Sequence, residues 1–227
     1  MSRIGPLRLQ RPRLRRFTAF GCQVETWVSR IVRNGPAPGL SCAGLLAPAE
    51  VEQAAGMADP GSADRFLAGR ALTRLALARR HRLAPARIEL ARDERGRPYA
   101  VSRGGPARLD FNLSHTGDFA AVAVAVGLRV GIDIETVTSR PQLDRIAARV
   151  FTEAERSQLR RAPADRRLER WYALWTSHEA LAKCTGEGLR AVSAVPAGYG
   201  HSWLKRGVPV APGYQGTVVV LNRRPAR

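Results

Sequence analysis

The stretch LDFNLSHTGDFAAVAVAVGLRVGIDIE, residues 109–135, constrains the fold of this chain more than any other. It reads as a hairpin-like succession: a strand through Leu113, a turn over 114–118, a buried strand over 119–126, a glycine-containing turn, and the strand VGIDIE over 130–135. In that last strand Val130, Ile132 and Ile134 point to one face, and Asp133 and Glu135 to the other. The isoleucine face belongs to the core. The opposite face carries like charges that raise each other's pKa unless a cation sits between them. That cation is either a metal ion or an arginine side chain, which this chain could readily supply. With no His/Cys cluster in the sequence, a metal here would be hard and oxygen-loving, Mg2+ or Mn2+.

Upstream, CQVETWVSRIV (22–32) alternates as a strand and NGPAPG (34–39) is a loop. Pro48 and Glu50 then suit the first turn of a helix. PGSADRFLAGRALTRLALARRHRL (60–83) is a long amphipathic helix with Phe66, Leu67, Ala71, Leu75 and Ala78 on its apolar stripe. Residues 84–101 give two short strands about a polar turn at 93–96. Downstream, PQLDRIAARVF and FTEAERSQLRRA are helical, the second with Thr152 and Glu155 at capping-box spacing. LERWYALWTSHEALAKCTGEGL (168–189) is the longest helix, stopped by Gly186 and Gly188. The tail over 198–222 alternates glycine, aromatic and β-branched residues and returns to the sheet.

Charge narrows the partners. The 37 basic and 19 acidic residues leave a formal charge of +18, which suits nucleic acid, an anionic membrane, or an acidic protein or phosphate-rich ligand. Only Lys183 and Lys205 are lysines, and so strong an arginine bias, with abundant Ala, Gly and Pro, is also what a GC-rich genome produces. Cys22, Cys42 and Cys184 are far apart and lack CxxC spacing, which speaks against a disulfide framework or zinc site and for a reducing compartment. The longest apolar run, 119–128, falls short of the about 20 residues that span a bilayer. The arginine-rich N-terminus has no apolar h-region, so it is not a secretory signal. The expectation is a cytoplasmic monomer with no membrane contact, carrying a loose basic arm over 1–18.

Two further places could do chemistry. Glu179 and Lys183 stand one helical turn apart, which is either an ordinary i,i+4 ion pair or a functional couple. Lysine can hand over a proton where arginine cannot, so its use in an arginine-rich chain is suggestive. Ser114 and His115 are adjacent, and neighbouring side chains on a strand diverge, so they do not form a nucleophile and its base. His115 could donate to a phosphate or simply cap its turn.

Taken in order, FNLSHTGD, GIDIE, FTEAE and LWTSHEALAKCTGEGL resemble the motif series of the Sfp-type 4'-phosphopantetheinyl transferases. RFLAGRALTRLAL and ERGRPY resemble that family's first-lobe helix and its Gly-basic-Pro turn, so the likeness runs from about residue 45 to about residue 195. The resemblance implies an α/β (α+β) fold of two similar lobes about a pseudo-twofold axis, here 19–105 and 106–227. Each would be a small, mostly antiparallel sheet on a long helix, with the active site in the cleft. It also implies the reaction: transfer of the 4'-phosphopantetheine arm of coenzyme A to a serine of an apo acyl or peptidyl carrier protein, with Mg2+ bound and 3',5'-ADP released. Carrier proteins are acidic around that serine, which a basic enzyme would steer.

Residue by residue, Asp133, Glu135 and Glu179 match the family's three metal-holding acids, Glu179 being also the candidate base. Lys183 matches the lysine beside the transferring phosphate, and Ser114 and His115 the Ser-His turn against the coenzyme A phosphates. Arg65, with Arg70 in support, matches the basic residue for the 3'-phosphate, and Arg97 stands where the family has a lysine near the nucleotide. Glu155 matches a glutamate used structurally or also in catalysis, and His178 departs from a common lysine. Two rival readings are a basic nucleic-acid-binding protein and an inactive relative that binds only coenzyme A or carrier protein. Against the first stand an aromatic content of 6% and the lack of a zinc-finger, helix-turn-helix or RNP-like motif. Against the second stand the intact acidic and lysine positions.

Overall fold

The arginine-rich N-terminus is ordered where it is described. In this computed structural model, residues 6–33, 39–94, 96–101, 109–186, 188 and 202–222 are described. Strands β1 (Leu7–Leu9) and β2 (Arg13–Ala19) lie one after the other along the long β3 (Cys22–Arg33). This corrects the loose arm expected over 1–18. Its arginines mask an alternation in which Leu7 and Leu9 are buried, Leu14 and Phe17 half-buried, and Arg13, Arg15 and Arg16 exposed. Pairing with β3 then satisfies backbone groups that an arm would leave to water. The loop expected at 34–39 lies, apart from Gly39, outside the described residues, as do 1–5 and the beginning of the tail, 198–201.

The remaining elements follow the sequence pattern closely. After β4 (Leu40–Ser41) come α1 (Pro48–Ala55) and α2 (Pro60–His81), the latter capped by the Asp59 carboxylate, which accepts from the Gly61 and Ser62 amides at 3.1 and 2.8 Å. Next are β5 (Glu89–Arg92), β6 (Pro98–Val101), β7 (Leu109–Thr116), β8 (Phe119–Val126) and β9 (Arg129–Thr136). The turn expected over 114–118 is shorter than that: β7 runs on to Thr116, so Ser114 and His115 sit on a strand. Three helices follow, α3 (Leu143–Val150), α4 (Glu153–Arg161) and α5 (Ala164–Thr185), with α5 starting one turn earlier than its expected bound at 168. Strands β10 (Trp203–Gly207) and β11 (Tyr214–Leu221) complete the described chain. No helix among the described residues is long and apolar enough to cross a membrane.

The strands form a six-stranded sheet, β4-β1-β3-β8-β7 with β2 also on β3, a three-stranded sheet, β10-β11-β9, and the separate β5–β6 hairpin. All pairings among the described residues are antiparallel. The large sheet draws strands from both sides of residue 105. Helix α2 covers one of its faces, with Leu67, Ala71 and Leu72 in one core with Ala120, Val122 and Val124 of β8. On its other face Ala121, Ala123 and Ala125 of β8 join Val130, Ile132 and Ile134 of β9 and Val218 and Val220 of β11 in a second core. Helix α5 closes the far side, with Ala180 and Cys184 against Val219 and Leu221. The result is a helix–sheet–sheet–helix stack. The alternating alanines of β8 let the two sheets approach.

Strands β7 and β9 run parallel at the seam between the sheets without backbone pairing. Side chains of β7 serve instead as acceptors for the free amides of β9: Asp110 for Val130 N (2.8 Å), Asn112 for Ile132 N (3.0 Å), Ser114 for Ile134 N (3.3 Å) and Thr116 for Thr136 N (3.4 Å). Every second residue of a strand faces the same way, so one face of β7 meets every second amide of β9. This polar seam fixes the register of β9 and hence the position of its carboxylates.

Candidate active site

Asp133 and Glu135 project from β9 into the angle between β7 and α5. Strand and helix come unusually close there: a Cβ on Gly131 would collide with the Ala180 carbonyl oxygen and stand 2.6 Å from the Cys184 nitrogen. Asp133 is buried, and its Oδ1 accepts from Ser114 Oγ at 2.9 Å and from Lys183 Nζ at 2.7 Å. Lys183 Nζ also donates to Ser114 Oγ at 3.2 Å. The other oxygen, Asp133 Oδ2, is buried without a hydrogen-bond partner. Glu135 Oε2 accepts from Thr116 Oγ1 at 3.3 Å, and the Trp175 indole also lies in hydrogen-bonding reach of this carboxylate.

The electrostatics join three acids into one group. Burial, then the charge of Asp133, raises the Glu135 carboxyl above its ordinary range against the hydrogen bonds from Thr116 and Trp175. Burial and Asp133 likewise raise Glu179, with Glu135 adding to the rise and Lys183 opposing it. The possible i,i+4 pair of Glu179 with Lys183 is therefore an influence at a distance, while the ammonium itself is bonded to Asp133. Among the described residues no arginine neutralises the strand pair by direct contact: Lys183 holds Asp133, and Arg140 only lies in electrostatic reach of Glu135.

His115 is exposed on β7, and its ring lies 3.6 Å from the position of a Cβ on Gly69 in α2. Partial desolvation, with the charges of Lys183 and Arg65, holds its imidazole below the ordinary histidine range, although the residue keeps an open edge. Arg65 itself bonds Asp59, the cap of its own helix, at 3.2 Å and Ser62 in the first turn at 2.8 Å.

Other candidates have different employment. Arg70 is buried, with its guanidinium 3.4 Å from Glu50, over the Phe66 ring, and with Nη1 lacking a partner. Arg97 lines a cleft of about 480 Å³ with Pro98, Asn112, Arg129, Lys183 and Gly186, yet its guanidinium is bonded to Asp110 and to main-chain carbonyls. Glu155 and His178 form a pair of their own: His178 Nε2 lies 3.1 and 3.0 Å from the two Glu155 oxygens, with its ring stacked on Phe151. The same carboxylate accepts from Thr152 N at 2.9 Å, so it caps α4 and ties it to α5. His178 stands next to Glu179 in sequence but on another side of the helix.

Thus the fold brings together Asp133, Glu135, Glu179, Lys183, Ser114 and His115, with Arg65 in electrostatic reach; Arg97 lies beside them but bonds protein groups, and Arg70 and Glu155 are engaged with Glu50 and His178. Sequence reasoning missed Thr116, Trp175 and Gly131. The alternation Asp110, Asn112, Ser114, Thr116 was the available signal for Thr116. Gly131 was signalled only as a glycine inside a strand.

No three His, Cys, Asp or Glu side chains among the described residues stand in an arrangement ready to hold a metal ion. The donor chemistry nonetheless suits one: three mutually repelling carboxylates, all oxygen, one of them presenting a buried unpartnered oxygen.

Comparison with known proteins identifies the family. A family model described as the 4'-phosphopantetheinyl transferase superfamily matches residues 129–197, and one described as 4'-phosphopantetheinyl transferase, N-terminal, matches 42–127. The 4'-phosphopantetheinyl transferase HetI of Nostoc sp. is 29% identical over 185 residues, 81% of this chain and 77% of that protein. The 4'-phosphopantetheinyl transferase AcpT of Escherichia coli O157:H7 is 35% identical over 141 residues, 62% of this chain and 67% of the relative. A Bacillus subtilis 4'-phosphopantetheinyl transferase is 37% identical over 129 residues, 56% of this chain and 54% of that protein.

Proposed function

This chain belongs to the 4'-phosphopantetheinyl transferase superfamily, and from that premise we propose that it transfers the phosphopantetheine arm of coenzyme A to a serine of an apo carrier protein. The observation that carries the proposal is the junction of β7, β9 and α5. There Lys183 Nζ bonds Asp133 at 2.7 Å at the edge of a cleft, beside two carboxyls raised toward neutrality.

In the proposed reaction the acceptor hydroxyl attacks the β-phosphorus of the coenzyme A pyrophosphate. The new P–O bond forms as the bond to the α-phosphate oxygen breaks, and 3',5'-ADP departs. Glu179 is well suited to take the hydroxyl proton, because burial and neighbouring charge lift its carboxyl and make its carboxylate the stronger base. Lys183 is oriented by Asp133 and Ser114, so its ammonium can stabilise or protonate the departing phosphate. His115 and Arg65 offer further positive or donor groups to phosphate oxygens from β7 and α2. Asp133, Glu135 and Glu179 would hold Mg2+, which when bound neutralises charge on the pyrophosphate. No residue of the protein becomes covalently attached.

An acidic carrier protein is the partner that the +18 charge favours. The three cysteines are all unpaired, in keeping with a reducing, cytoplasmic setting. The test is direct: the full chain is incubated with a fluorescent coenzyme A analogue, Mg2+ and several apo carrier proteins. Label on a carrier serine is expected, and its absence from every carrier rejects the proposal. Persistence of transfer in Asp133→Ala would reject the metal assignment alone.

A further inference from the structure

Arg97 follows the turn that closes the β5–β6 hairpin, where Asp93 Oδ1 accepts from the Arg97 amide at 2.8 Å. Its side chain is 9% exposed. Nη2 donates to the two Asp110 oxygens at 3.1 and 2.8 Å and to the Val130 carbonyl at 2.9 Å, and Nη1 donates to the Lys183 carbonyl. One planar fork thus joins β7, β9 and the last turn of α5. Asp110 in turn accepts from Val130 N, as the first rung of the polar seam.

The carbonyl of Lys183 lies in the last turn of α5, where carbonyls have no partner within the helix and the dipole favours a cation. Arg129 gives similar support one residue on, through Nε to the Cys184 carbonyl at 3.3 Å. Lys183 carries the ammonium that meets Asp133, and Val130 lies three residues before Asp133 on β9. Arg97 therefore grips the backbone on both sides of the Lys183–Asp133 contact. Its fork is directed at protein groups although the residue lines the cleft.

We infer that Arg97 is a positioning residue: it clamps the end of α5 to the β7–β9 seam and so holds the Lys183 ammonium in register with the carboxylates, instead of binding the nucleotide. The kinetic part of this inference rests on the transferase reading above.

The experiment compares wild type with Arg97→Met and Arg97→Lys in the full chain. It measures steady-state label transfer and, on ligand-free protein, hydrogen exchange of the amides at 183–186. A clamp gives a kcat loss of roughly 10- to 100-fold, as expected for a small misplacement of a catalytic group. The KM for coenzyme A should stay within about threefold of wild type, and the last turn of α5 should exchange faster. Arg97→Lys should not rescue, since one ammonium cannot reproduce the planar fork. A rise in that KM of about tenfold or more with kcat unchanged would make Arg97 a nucleotide ligand and overturn the inference. Unchanged exchange at 183–186 would overturn it as well. If Arg97→Met does not fold, Asp110→Asn breaks the same junction from the other side and is read by the same two outcomes. Should wild type prove unable to transfer label, the functional reading fails, while the exchange measurement still decides the clamp.

Discussion

At Glu135, burial and the charge of Asp133 push the carboxyl up while hydrogen bonds from Thr116 and Trp175 pull it down, and the upward causes win. A carboxyl whose folded pKa is raised contributes most below its unfolded value, and that contribution is lost as pH rises through the folded pKa. In metal-free protein at neutral pH the ionised group is therefore a liability. Glu135→Gln should raise the melting temperature in EDTA by roughly 1–2 °C, the partly exposed carboxyl being screened by solvent. It should also reduce label transfer by about 100-fold or more, because a neutral amide cannot replace a charged oxygen ligand. A melting temperature that falls would show that the three acids do not repel. Stability and activity moving in opposite directions is what a site built from like charges predicts. Among single residues, Asp133 and Glu135 drew notice in the sequence as charges in a strand that otherwise reads as core, while Glu179 and Lys183 were singled out chiefly by the ordered motif series, and that these four become neighbours is a matter of the fold. Arg97 was legible only as a basic residue in a turn. Its charge is visible in sequence, but the carbonyls that take up its donors come from elements far away along the chain.

At the scale of elements, the β7–β9 seam replaces a backbone ladder with side-chain acceptors. Asn112→Ala would leave the amide of Ile132 without an acceptor in a buried place. The expected cost is about 2 kcal/mol, read from urea unfolding, and no change in stability would show that the seam is dispensable. The α4–α5 junction offers a pH test. Burial alone would raise the Glu155 carboxyl, but hydrogen bonds from His178 and from the Thr152 backbone and side chain, with the charge of His178, outweigh it and hold the group at about 2. With a depressed folded pKa, its contribution is present above the unfolded value near 4.5 and is lost as pH falls from there toward about 2. With solvent screening of this partly exposed pair taken into account, wild type should therefore lose about 1 kcal/mol more than Glu155→Gln over that window in chemical denaturation. Parallel pH profiles for the two proteins would refute the assignment. The capping box of α4 was plain from Thr152 and Glu155, since capping depends on residues three apart. The further bond of Glu155 to His178 was not, because it links residues on separate helices. The two strands of the N-terminus were missed for another reason: arginines hid the alternation of Leu7, Leu9, Leu14 and Phe17.

For the molecule as a whole, β8 is the central fact. It pairs with β3 from the first half of the chain, and its two faces belong to the two largest cores. A fragment of residues 1–105 would lack β7 and β8, leaving β3 with an open edge and α2 without Ala120, Val122 and Val124. Such a fragment should show no dispersed amide spectrum, whereas the full chain should unfold in one cooperative transition. A well-dispersed spectrum from 1–105 would prove the halves independent. By itself the sequence determined most element types outside the N-terminal strands, the paired carboxylates on one side of VGIDIE, and the helix that bears Glu179 and Lys183. These follow from local periodicity and from residues a few positions apart. Tertiary structure alone decided that Lys183 bonds Asp133, that β7 side chains stand in for a missing ladder, and that Arg97 grips α5. Each of those depends on which strands and helices become neighbours, and that is set by how apolar faces from distant segments are buried against one another.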